Sequence, residues 1–270
     1  MMMFRELHKL ARGLGRRLTP APVPLTEREW TSLRANVPFI ERLPEFERRT
    51  LRERISEFLG RKTFKSIRME LEPWQRHVIA AYACLPVLRI GIDAYRDWQT
   101  VIVYPDTFAP EQEWVDEDGV HHQAVIPQAG EAWERGPVVL SWNDIAEDGA
   151  VIVHEVTHTL DAGNGEVNGF PPLPRNLPAR EWTDTFSAAY EELLQTIDRG
   201  DEPTIDPYAA TDPAEFLAVV AEYFFFAPAY LRAEWPEIYH LLALYFALQP
   251  HEWATEIPAR IPGIARTRNN

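Results

Sequence analysis

Hydrophobic residues recur at helical spacing through both ends of the chain, and β-branched runs interrupt that pattern only in the middle. Between Leu25 and about Met69, Trp30, Leu33 and Val37 share one helical face, as do Leu51, Ile55, Phe58 and Leu59. Pro38 and Pro44 divide this region into separate helices, since an internal proline has no amide for the helix ladder. Residues 74–90 read as an apolar, buried helix broken near Pro86. VIVYP (101–105) is a β-branched run closed by proline and predicts a strand. Asp118-Gly119 is a hairpin signal, so Trp114–Val115 and Val120–Ile126 are expected to pair antiparallel. GPVVLSW (136–142) predicts another strand, running into helix signals at Asn143 and Asp144.

Helical spacing then returns from about Asp148 to Ala162, and Gly163 supplies the stop. A Gly/Pro/Asn-rich loop (163–178) precedes a helix over 180–198 with Trp182, Phe186 and Leu193 inward. Asp212-Pro213 opens a further helix reaching Phe226, ahead of Pro228, and the last helix covers about Glu237–Leu248. Strands before the central helix and helices after it suit an α+β fold with a small mixed or antiparallel sheet and a helical C-terminal lobe. Phe4, Leu7, Leu10, Leu14 and Leu18 oppose Arg5, Lys9, Arg12 and Arg16, which predicts a basic amphipathic helix. PAPVP (20–24) links it to the body. The expected organisation is therefore residues 1–24 as helix and linker, then one domain over 25–270. Within that domain, 25–72 is helical, 73–162 carries the sheet and central helix, and 163–270 forms the helical lobe.

Composition narrows the function. At 270 residues and 46% hydrophobic content, the chain can bury a substantial core. No apolar run approaches the ~20 residues of a membrane span, and the N-terminus lacks the apolar stretch of a secretory signal. Cys84 is the single cysteine, which excludes an intramolecular disulfide and leads us to expect a cytoplasmic protein. The net charge of -14 argues against direct nucleic-acid binding, whose phosphates would be repelled, and is compatible with a peptide substrate or protein partner.

The chemistry lies in VIVHEVTHTLD (151–161), which contains H-E-x-x-H. At 3.6 residues per turn, His154 and His158 lie on one helix face, so both imidazoles can reach one ion. Glu155 lies about 100° round the helix, too far for an easy ligand but near a metal-bound water. Zinc lowers the pKa of such a water toward ~7, and Glu155 would serve as its base. The preceding Val-Ile-Val disfavours an exposed His-Glu-His surface. A catalytic zinc needs a third protein ligand and an open position. The H-E-x-x-H-x-x-G-x-x-H pattern is excluded, because its last two positions are Asp161 and Asn164. Glu215, in DPYAATDPAEFLAVVAEYFF (206–225), is the favoured third ligand. It also sits at the third position of a capping box begun by Asp212, which needs no metal. Glu222 shares its face and would orient a ligand histidine or make a structural hydrogen bond. Asp161 would do the same or merely finish its helix. Spacing alone makes Tyr208 a packed residue, with oxyanion stabilisation as the sharper alternative.

These residues carry a resemblance. FLGRKTF (58–64), ACLPVL (83–88), VIVYPDTF (101–108), GPVVLSW, HEVTHTLD (154–161), NGFPPLP (168–174) and the block 207–225 resemble the Mlc titration factor A family of bacterial zinc peptidases. The likeness runs from about Leu25 to at least residue 246. It implies a zincin-like, gluzincin-type fold whose catalytic core is similar to the anthrax lethal factor peptidase domain. It further implies His154, His158 and Glu215 as ligands of one zinc per chain, Glu155 as base and Tyr208 at the oxyanion. The implied activity is aminopeptidase-like, with a transcriptional repressor of sugar-uptake genes as a partner. A rival reading makes the protein a regulator that sequesters a repressor, with zinc mainly structural. A base at Glu155 speaks against that rival.

Overall fold

A computed structural model of the chain describes residues 20–105, 111–115, 121–125 and 136–254. The amphipathic segment expected up to residue 19 and the turn at Asp118-Gly119 lie outside the described residues. The 20–24 linker runs along a later helix, with the Val23 amide donating to the Ser56 carbonyl at 2.9 Å.

Helix α1 (Glu27–Asn36) starts where Thr26 and Glu29 form a reciprocal capping box and satisfy two amides that the first turn leaves open. Its Trp30 and Leu33 are buried. Prolines 38 and 44 open the short α2 (Phe39–Arg42) and the long α3 (Glu45–Arg61), as the punctuation predicts. Leu51, Ile55 and Phe58 of α3 point inward, against α4 (Pro73–Cys84). Cys84 is fully buried, and burial pushes its thiol pKa well up. The helix ends at Cys84, close to the break expected near Pro86, and residues 85–90 continue as turns, in which the Leu88 amide donates to Leu85 and the Gly91 amide to Val87.

Strands β1 (Thr63–Ser66), β2 (Thr100–Tyr104) and β5 (Val138–Ser141) form one sheet in the order β1-β2-β5, with both pairings parallel. The expected mixed or antiparallel sheet is corrected here. The connections from β1 to β2 and from β2 to β5 are long, and β1 and β2 are joined through α4, the kind of crossover that parallel neighbours require. Among the described residues, antiparallel pairing is confined to a separate pair, β3 (Glu111–Val115) and β4 (His121–Val125), with Trp114 and His122 in register. The register Val101↔Val138 and Val103↔Leu140 aligns the buried residues of β2 and β5 on one face. At the head of β1, the Lys62 ammonium is buried and donates to the carbonyls of Tyr95 and Trp98 beneath the Trp98 ring. Burial pulls its pKa down to about 7.

Helix α5 (Trp142–Glu147) follows β5 directly, capped by the Ser141 hydroxyl, and α6 (Ala150–Asp161) follows it. Gly149 permits the tight entry into α6, since a side chain there would begin 2.2 Å from the Tyr82 ring of α4. After a loop come α7 (Ala179–Asp198), α8 (Pro213–Phe226), α9 (Pro228–Glu234) and α10 (Pro236–Phe246). Helix α8 packs across α6, and every residue from Phe216 to Phe225 is buried. The described residues thus form a mostly helical α+β fold around a small parallel sheet.

Candidate metal centre

Two helices meet to form the site. Val151, Ile152, Val153, Val156 and Leu160 anchor α6 in the core, which leaves His154 and His158 one turn apart toward α8. Their rings approach edge to face, with 4.9 Å between centroids and 3.2 Å between the two Nε2 atoms. From α8, Glu215 brings Oε2 to 2.9 Å from His154 Nε2 and 3.6 Å from His158 Nε2. The rest of α8 is held by its cap, where Asp212 Oδ1 accepts the amides of Ala214 and Glu215 at 2.8 and 2.9 Å. Asp212 supplies one half of the expected capping box, without the reciprocal bond from the Glu215 side chain. The Glu215 amide completes the cap, while its carboxylate turns to the histidines.

Three observations test whether a metal fits. The three donor atoms are 2.9–3.6 Å apart, and a tetrahedral ion with bonds of about 2.0–2.1 Å spaces its donors about 3.3 Å apart. His154 Nδ1 lies 2.7 Å from Glu222 Oε1. A carboxylate only accepts, so Nδ1 carries the proton and Nε2 presents its lone pair to the centre. Glu215 Oε2 is buried and, 2.9 Å from His154 Nε2, makes no hydrogen bond of good geometry. Three lone pairs facing one point repel unless a cation joins them. The residues fit a metal ion, and the His/His/Glu donor set suits zinc among the common divalent ions.

The protonation energetics point the same way. Burial pushes the His154 pKa down, but the facing carboxylates of Glu215 and Glu222 outweigh it and lift the imidazole to about 10. Burial likewise pushes Glu215 up, and the two imidazoles outweigh it, holding the carboxyl well below its usual range. Both directions express one demand, for positive charge at the point of convergence.

The remaining expected residues surround this cluster unequally. Glu155 is half-buried on α6 and has no hydrogen-bond partner among the described residues. Tyr208 sits on a short 3-10 turn (Pro207–Ala210) fixed by Asp206, and its hydroxyl donates to Glu215 Oε1 at 3.1 Å. Glu222 is 2% exposed and bonded to His154. Asp161 takes neither of its expected forms alone. Its Oδ2 accepts the Gly169 amide at 2.6 Å, and among the described residues no hydrogen bond joins it to an imidazole. Burial raises its pKa to about 6 against the opposing pull of the Gly169, Asn168 and Phe170 amides. Sequence reasoning did not foresee Gly169 or the indole of Trp182, which bonds the Gly169 carbonyl at 3.1 Å. The Asn-Gly pair inside NGFPPLP was the available signal.

An α+β chain whose H-E-x-x-H helix meets a glutamate from a second helix in a His–His–Glu donor cluster has the architecture of a metallopeptidase. Residues 13–247 match the family model described as glucose-regulated metallo-peptidase M90, and the chain belongs to that family. Among its relatives, the Mlc titration factor A of Klebsiella pneumoniae (strain 342) is 36% identical over 225 residues, 79% of this chain and 84% of the relative. The Mlc titration factor A of Serratia proteamaculans is 34% identical over 242 residues, covering 86% and 91%. An uncharacterized protein of Synechocystis is 36% identical over 223 residues, covering 79% and 81%.

Proposed function

We propose that this chain is a zinc-dependent, aminopeptidase-like hydrolase of the zincin-like, gluzincin type, with one zinc held by His154 Nε2, His158 Nε2 and Glu215 Oε2. The observation that carries the proposal is the convergence of three donor atoms at zinc-ligand spacing beside Glu155, which has no hydrogen-bond partner among the described residues. When bound, zinc would acidify a water and polarise the scissile carbonyl. Glu155 accepts the proton of the attacking water and delivers it to the leaving amine. Tyr208 rotates its hydroxyl from Glu215 to the oxyanion, a small movement for a group already bonded at the rim of the site. Glu222 fixes the tautomer and orientation of His154. Among the described residues β5 is an edge strand leading into α5 and α6, and its open side suits a substrate backbone laid alongside.

The reading extends to a single peptidase unit over residues 25–270 and to a cytoplasmic location; among the described residues, no helix is long and apolar enough to cross a membrane. The name shared by several relatives supports a second role, in which the protein titrates a repressor of the Mlc kind. Repressor binding and catalysis are compatible, and a purely structural zinc would leave the half-buried Glu155 without a task.

The test is Glu155→Gln. The variant is expected to keep its zinc and its melting temperature and to lose at least about a hundredfold in peptidase turnover, because an amide cannot take the water's proton. Turnover at the parental rate on aminopeptide substrates would remove Glu155 from the mechanism.

A further inference from the structure

Asp161, Gly169 and Trp182 form a set of contacts that the mechanism above leaves unused. Asp161 closes α6 one turn beyond His158 and is 0% exposed. Its Oδ2 holds the Gly169 amide at 2.6 Å, while Trp182 of α7 holds the carbonyl of the same residue at 3.1 Å. The Trp182 indole is itself fixed, stacked on Phe186 with 4.1 Å between centroids. Gly169 has φ +79°, which favours glycine, and a Cβ on it would lie 2.5 Å from the Pro213 carbonyl oxygen. Pro213 is the first residue of α8 and stands two positions before Glu215. One backbone residue is therefore bonded to the end of the histidine helix, bonded to α7, and in closest packing with the start of the glutamate helix.

The geometry points to Gly169 as the spacer that sets the separation of α6 and α8 at the metal donors, with Asp161 and Trp182 as positioning residues acting through its peptide groups. This rests on the metal site proposed above. Donors spaced 2.9–3.6 Å apart tolerate errors of only about 0.5 Å; the Glu222–His154 bond ties α8 to α6 further along, and Gly169 is the contact at the start of α8, two residues before Glu215. Asp161 also breaks a local rule. A carboxylate at a helix C-terminus opposes the helix dipole, and this one is buried as well. Such a residue is retained where its long-range bond outweighs its local cost. The same packing accounts for the glycine of NGFPPLP, since its φ of +79° favours glycine and a Cβ there would collide with the backbone of Pro213.

The experiment measures the zinc dissociation constant of the metal-free full-length chain by chelator competition, beside circular dichroism and metal-free melting curves. Asp161→Asn keeps an acceptor oxygen but removes the charge, and is expected to bind zinc within about threefold of the parent. Asp161→Ala removes the bond and is expected to bind about tenfold or more weakly, in the range typical of residues that orient metal ligands. Trp182→Phe keeps the ring stack but loses the indole donor, and a weakening of about threefold or more is expected. If Asp161→Ala does not fold, Trp182→Phe decides. Lower melting temperatures with parental zinc affinity in the folded variants would overturn the proposal and make the contacts a fold staple. Equal weakening in Asp161→Asn and Asp161→Ala would overturn it in favour of charge. A parental chain that binds no zinc would instead overturn the underlying metal reading, and the spacer with it.

Discussion

Glu215 and Glu222 carry the same carboxylate on one helix, yet their surroundings divide the work between them. Glu222 is sealed in the core with one imidazole nitrogen as its partner, whereas Glu215 is half-buried and meets two imidazoles and a phenol. Tyr208 shares this junction. As a packed residue it would be replaced by phenylalanine with little kinetic effect. As an oxyanion donor it acts in the transition state alone, so Tyr208→Phe is expected to lower kcat on the order of a hundredfold while KM and zinc content stay near parental values. Steady-state kinetics beside elemental analysis separates the two cases. The histidines and Glu155 were legible because their geometry is local, fixed by residues per turn. Tyr208 was not legible from spacing, since its bond to Glu215 depends on a 3-10 turn placed by Asp206 and on the cap of the next helix.

Helix α8 joins a structural start to a chemical one within three residues. Asp212 caps through the backbone of Glu215, and that bond survives any change in the Glu215 side chain. Glu215→Gln should therefore cost about 1 kcal/mol or less in metal-free stability. It should weaken zinc binding about tenfold or more, since a neutral amide is a poorer ligand than a carboxylate. Denaturant unfolding of the metal-free chain and chelator competition measure the two effects separately. Unchanged zinc affinity would return Glu215 to a capping role alone. Among the elements, those with long periodic faces were readable. The less visible ones were short or misleadingly punctuated. Strand β1 overturns the helical reading of 25–72: it has four residues and no buried alternation, so its pattern offered no strand signal. Pro228 reads as a helix stop, yet it occupies the first position of α9, where its missing amide costs nothing.

At the scale of the molecule, the parallel order β1-β2-β5 was the feature least accessible to pattern reading. Strand direction is decided by where the long connections pack, and a β-branched run looks alike in either orientation. The junction of α6 with α8 is equally non-local, and a ligand that binds only the assembled junction must stabilise the whole. With free zinc at a hundred times its dissociation constant, the gain is about 2.7 kcal/mol. Calorimetric melts are expected to rise on adding zinc and fall back with chelator. The His154→Ala/His158→Ala double variant should show no shift, and a parental-sized shift in it would detach zinc stabilisation from this site.

The two arms of the junction also differ in when they come into being. Residues 154–158 leave the ribosome well before residue 215, so a growing chain carries the imidazole pair and Glu155 while the carboxylate partner has yet to be made. At about 5–20 residues per second, that interval lasts roughly 3–11 seconds. The half-site of a nascent chain has only two donors, and the third is made only after α7 and the Asp206–Asp212 turn.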